Sequence, residues 1–223
     1  MRKRFAAAAL APLLFLPGVS SADSSIGLRA GSLGLGVELS YAVSQRFALR
    51  LATDAYTRNF TSTQQDIEYD GKAKLKTISF LADLFPFANN FRISLGVFSN
   101  GNKITGTGTP TGGTFVIDGV TYQASDVGTL DAEVTFKKTV PYFGIGYGRP
   151  INSGLSFIGD LGVMFQGSPT ATLTASCGGA APVGSPQCDA IRSSVANDQA
   201  TVNEDIKKFK YYPVLTLGLS YTF

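Results

Sequence analysis

Tyr212-Pro-Val-Leu-Thr-Leu-Gly-Leu-Ser-Tyr-Thr-Phe223 decides the fold. Pro213, Leu215, Leu217, Leu219, Tyr221 and Phe223 share one face; Tyr212, Val214, Thr216, Gly218, Ser220 and Thr222 share the other. A strict side-chain period of two is the mark of a β-strand. The apolar face closes on aromatics, as a membrane-spanning strand does where it meets the headgroups. An edge strand of a soluble sandwich carries the same alternation, so the rest of the chain has to decide.

The N-terminus points to export. Arg2, Lys3 and Arg4 precede an apolar run from Phe5 to Leu16, and Ser20-Ser21-Ala22 supplies small residues for cleavage after Ala22. This reads as a signal peptide over residues 1–22, and the run is short for a membrane anchor. Removing it takes three positive charges from a formal net charge of +3, leaving 3 − 3 = 0. A basic surface for nucleic acid is therefore not expected. Later runs are too short or too polar for a transmembrane helix, so the exported chain is either soluble or a barrel.

The same alternation recurs upstream. Leu35, Val37, Leu39 and Tyr41 oppose Gly36, Glu38, Ser40 and Ala42; Phe47, Leu49 and Leu51 oppose Ala48, Arg50 and Ala52. Lys72 to Phe85 follows, then Phe91, Ile93, Leu95 and Val97 against Arg92, Ser94 and Gly96. Pro141, Phe143, Ile145 and Tyr147 oppose Tyr142, Gly144, Gly146 and Gly148; Phe157, Leu161, Val163 and Phe165 oppose Asp160, Gly162 and Gln166. Three long polar segments, 59–71, 101–130 and 176–208, lie between these hairpins. Short turns alternating with long loops are the asymmetry of outer-membrane barrels.

With the C-terminal strand that makes seven. Parity asks for an eighth, predicted at Ser24 to Gly31 with a turn at Ser32-Leu33-Gly34; one long strand from Ser25 to Ala42 is the alternative. Asp118-Gly119, within Thr114 to Tyr122, predicts a tight hairpin. Ile191, Val195, Val202, Ile206 and Phe209 fall near helical spacing, for a helix that either packs on the rim or binds a partner. The expected fold is all-β: an eight-stranded antiparallel transmembrane β-barrel over residues 23–223, with long extracellular loops, a loop hairpin and a short loop helix.

Arg29, Glu38, Arg50, Asp54, Asp83, Arg92 and Asp160 all fall opposite the apolar faces. Beside lipid a mid-bilayer Arg costs roughly 2–4 kcal/mol, so these groups are expected in the lumen. Either they form a salt-bridged plug or some of them line a narrow path for small cationic solutes. Centring the hairpin on the Pro86 to Asn90 turn predicts an Asp83–Arg92 cross-strand pair. Lys72, Lys74 and Lys76 share the face of Ile78 and Phe80, above the outer leaflet. There they would contact lipopolysaccharide phosphates or simply form a solvated loop base.

Cys177 and Cys188 are the two cysteines, and an oxidising compartment favours a disulfide over a two-cysteine metal site. The chain has no histidine, which removes Ser-His acyl chemistry and the usual metal ligands. Neither an enzyme nor a cofactor is expected.

Several stretches carry a resemblance. Thr216-x-Gly218-x-x-Tyr221-x-Phe223 resembles the C-terminal assembly signal of outer-membrane barrels, which implies the barrel-assembly machinery as a partner. Arg29-Ala-Gly31 through Gly36, Ile117-Asp-Gly119 through Tyr122-Gln123, and Val140-Pro-Tyr-Phe-Gly-Ile-Gly-Tyr-Gly148 followed by Gly167-Ser-Pro169 resemble the CarO-type outer-membrane proteins. The resemblance implies an eight-stranded barrel with an elaborated outer cap. It also implies a narrow porin for passive uptake of small polar solutes such as basic amino acids. The rival is a non-conducting structural or surface-interaction barrel.

Overall fold

The computed structural model describes residues 24–64, 67–110, 112–151 and 153–223; the expected signal peptide lies outside them. Thirteen strands and one helix make up this part of the chain. They are β1 (Ser24–Gly31), β2 (Gly34–Ser44), β3 (Phe47–Gln64), β4 (Ile67–Leu84), β5 (Phe91–Asn100), β6 (Lys103–Pro110), β7 (Thr114–Ile117), β8 (Val120–Gln123), β9 (Val127–Thr135), β10 (Thr139–Tyr147), β11 (Gly154–Met164), β12 (Thr170–Cys177), α1 (Pro186–Ile206) and β13 (Tyr212–Thr222).

Eight of the strands close a ring in the order β1-β2-β3-β4-β5-β10-β11-β13, with β13 paired back to β1. Every pairing in it is antiparallel. Closure leaves no free edge, which the hydrocarbon core demands. The eighth strand is β1, its turn at Ser32-Leu33, as parity requires. Outward side chains are apolar: Leu215, Leu217 and Leu219 lead down β13 to Tyr221 and Phe223, whose rings stand edge to face at 5.4 Å.

The segments expected to be outer loops are largely folded, which corrects that part of the sequence reading. β3 and β4 continue past the barrel through most of 59–71, so the hairpin is 18 residues on each side. The lower half of β4 pairs with β5 and its upper half with β6. Asn100 and Asn102 make the break: Asn102 N donates to Asn100 Oδ1 at 3.1 Å, and Lys76 N donates to Asn102 Oδ1 at 3.0 Å. Beyond it β6, β9 and β12 extend the barrel wall outward as a platform.

The β7–β8 hairpin turns at Asp118-Gly119 with φ of 50° and 72°, the positive values a tight primed turn needs. The helix, expected to be short, runs for 21 residues. Ser185 caps it by accepting from Cys188 N at 3.2 Å, and Pro186 opens its first turn. Ile191 and Val195 are buried with Ile117 and Val127 in a small cap core, while Phe209 is exposed beyond the helix end. The helix also seals the platform's free edge. Ala171 N donates to Asn203 Oδ1 at 2.8 Å, and Leu173 N donates to Gln199 Oε1 at 2.7 Å. Two amides one turn apart thus take the place of a neighbouring strand.

Cys177, at the end of β12, and Cys188, in the first turn of α1, form the expected disulfide. It ties α1 to β12, which pairs with β9 and not with a strand of the ring. Reduction should therefore loosen α1, with a loss of about 2–3 kcal/mol of local stability. Hydrogen exchange before and after reduction should show faster exchange in α1 and β12 and unchanged protection in β1, β2 and β13. Equal loosening of the barrel strands would contradict this separation.

Candidate functional site: the filled lumen

All seven predicted lumen charges point inward, and none is more than 6% exposed. They form one continuous network. Arg29 clamps Asp54 with two bonds, Nε to Oδ1 at 2.8 Å and Nη2 to Oδ2 at 2.6 Å, and reaches Glu38 at 3.3 Å. Arg50 sits at the centre. Its Nη1 donates to Asp160 Oδ2 at 2.6 Å and its Nη2 to Asp83 Oδ1 at 3.1 Å, with Glu38 at 3.4 Å. Its Nε lies 3.0 Å from Asp83 Oδ2, an ion-pair contact out of line for a hydrogen bond. Arg92 donates to Asp160 at 3.1 Å and to Gly148 O at 2.8 Å. Ser94, Thr77 and Thr216 supply hydroxyl donors to Asp83, Asp54 and Asp160. Bidentate guanidinium–carboxylate pairs whose carboxylates also accept from hydroxyls are an arrangement in which buried charge is tolerated.

The expected Asp83–Arg92 cross-strand pair needs correction. Asp83 faces Ser94, and Arg92 lies beside Gly146 of β10. Ala88 at φ 50° and an Asn89 Oδ1 bond to Phe91 N lengthen the turn, shifting the register by two residues. A shift of two keeps both side chains in the lumen but changes their neighbours. Arg92 still forms the expected ion pair with Asp83, at 3.9 Å, but not as its direct cross-strand partner, and its closer contact is Asp160 at 3.1 Å.

A second layer was not expected. Leu33, Leu81, Phe98, Val140, Tyr142, Met164 and Val214 form a buried apolar cluster inside the barrel. Leu33 comes from the β1–β2 turn, which Ser32 pins to β13 by donating to Pro213 O and accepting from Leu215 N, each at 3.0 Å. Phe98 and Tyr142 pack at 5.2 Å between centroids. The Tyr142 ring fits because Gly144 and Gly162 have no side chains: a Cβ there would lie 2.3 and 2.4 Å from its hydroxyl. The sequence does carry a signal for this layer, namely an aromatic, Tyr142, at a lumen position of a glycine-lined strand.

Lys72, Lys74 and Lys76 are exposed on the outer face of β4 above Ile78 and Phe80. Tyr221 and Phe223 are exposed on the outer face at the end of the chain's last strand, where an aromatic girdle would lie. Gly218 faces inward, where a Cβ would lie 2.2 Å from Leu28 O, so close strand packing already accounts for glycine at this position.

The chain matches no protein-family model and none of the curated proteins. It is similar to the crystal structure of Acinetobacter baumannii CarO, at 18% identity and TM-score 0.52, over 89% of this chain and 97% of that one. The fold is that of an outer-membrane β-barrel. Acinetobacter baumannii CarO2 gives the same picture, at 17% identity and TM-score 0.55, over 90% of this chain and 98% of that one. These likenesses agree with the ring of eight strands and support an outer-membrane location.

Proposed function

We propose that the protein is a closed outer-membrane barrel whose transmembrane part is a rigid, non-conducting support for the extracellular cap. The observation that carries this is the double filling of the lumen. A connected ion-pair network and an apolar cluster occupy an interior that eight strands make only wide enough for side chains. The cap, with its own core, disulfide and sealed edge, is then the surface offered to the exterior. This reading assigns no catalytic chemistry and no cofactor.

A second reading keeps the narrow porin for small polar solutes such as basic amino acids. It is favoured by one feature: four carboxylates against three guanidiniums, 3 − 4 = −1, give the lumen a negative bias suited to cations. Passage would require Leu33 and Tyr142 to move.

Swelling of proteoliposomes separates the two. With the folded protein inserted, swelling in ornithine, arginine or glycerol should match protein-free vesicles. Swelling in ornithine or arginine above that of protein-free vesicles would overturn the closed-barrel reading in favour of the porin.

A further inference from the structure

The lower part of the outer face of β4 and β6 carries lysines that no ion pair among the described residues neutralises, apart from Lys103. Lys72, Lys74 and Lys76 are exposed, and no ion pair among the described residues includes them. Lys103 of β6 is the direct register partner of Lys74. Like charges placed opposite one another across a ladder are destabilising unless an anion lies between them. Glu133 takes only Lys103, at 2.7 Å. The cluster of four lysines and one glutamate therefore keeps a charge of 4 − 1 = +3.

Its height matters as much as its sign. On the same face, Phe80 and Ile78 end the apolar band, and the lysines follow at every second residue. At about 3.3 Å per residue and a strand tilt of about 40°, they stand roughly 5–15 Å above Ile78. Acids appear farther out: Asp70 and Asp131 flank Thr107, held by hydroxyl bonds from Thr61 and Thr107, and Glu68 is exposed beyond them on the same face of β4. Going outward, the face is thus apolar, then cationic, then acidic. The surface of an outer leaflet has the complementary order at its inner two levels: acyl chains, then phosphates immediately above them.

We propose that Lys72, Lys74, Lys76 and Lys103 bind the phosphates of lipid A in the outer leaflet, fixing one lipopolysaccharide molecule against β4 and β6. The ammonium groups act as point-charge donors to phosphate oxygens, and Ile78 and Phe80 receive the adjoining acyl chains. This goes beyond the closed-barrel reading and does not depend on whether the lumen conducts.

The test uses the full mature chain, folded in detergent and mixed with lipid A, with bound lipid counted by native mass spectrometry. Bisphosphorylated lipid A should bind. The same lipid stripped of both phosphates should bind on the order of 100-fold more weakly, at a factor of about five for each of three unneutralised lysines. Lys72→Gln/Lys74→Gln/Lys76→Gln should lose the same factor, and the three Lys→Arg changes should restore binding. Lys208→Gln/Lys210→Gln, outside the cluster, should bind as the unaltered protein does. Equal binding of phosphorylated and stripped lipid would overturn the proposal without any variant. So would undiminished binding by a folded triple Gln variant.

Discussion

Arg50→Met should destabilise the barrel by about 3–5 kcal/mol, the expected result of removing one partner from a desolvated charge network. Arg50 is 1% exposed and contacts Glu38, Asp83 and Asp160 at once. Without it the lumen holds four carboxylates against two guanidiniums, and its net charge falls from −1 to −2. Arg50→Lys should lose less, because the charge stays while the planar fork that meets Asp160 and Asp83 is gone. Combining Arg50→Met with Asp83→Asn should recover part of the loss, with a coupling energy of about 1–3 kcal/mol. Urea unfolding in lipid vesicles of the unaltered protein, Arg50→Met, Asp83→Asn and the double variant measures the cycle. A loss below about 1 kcal/mol with no coupling would mean that water, rather than the counter-charges, satisfies Arg50.

Tyr142→Ala is the second large effect, at about 3–5 kcal/mol, as for a buried aromatic cut to a methyl group. Gly144 and Gly162 leave a space that the ring fills, and Phe98 loses the ring packed against it. Tyr142→Phe should stay within about 1 kcal/mol of the unaltered protein, since the hydroxyl is buried and bonds no other described group. Comparable losses in both variants would assign the hydroxyl, and not the packing, as the stabilising part.

The ring itself was legible because two strong constraints coincide in each strand. A charge beside lipid is expensive, and the side-chain period is two, so the positions of Arg50, Asp83 and Asp160 fix which face is the lumen. Which charges meet is another matter. Arg50 and Asp160 are 110 residues apart, and their contact depends on the register of several intervening strands. One longer turn, at Ala88, was enough to exchange Arg92 for Ser94 opposite Asp83.

The cap was harder to read because its strands pair weakly apolar faces. Thr170-Ala-Thr-Leu-Thr-Ala-Ser176 alternates, as does Thr105-Gly-Thr-Gly-Thr109, but Ala and Gly give little hydrophobic signal. The roles of Gln199 and Asn203 depend on where α1 docks, which its sequence spacing does not encode.

On the proposed reading two different fillings, one ionic and one apolar, close the lumen. Single-channel recording in planar bilayers tests it most directly, with insertion verified by the protein's resistance to added protease. The unaltered protein should give no unitary conductance at either polarity, with or without ornithine. Reproducible unitary steps from that protein, under the same conditions, would contradict the account.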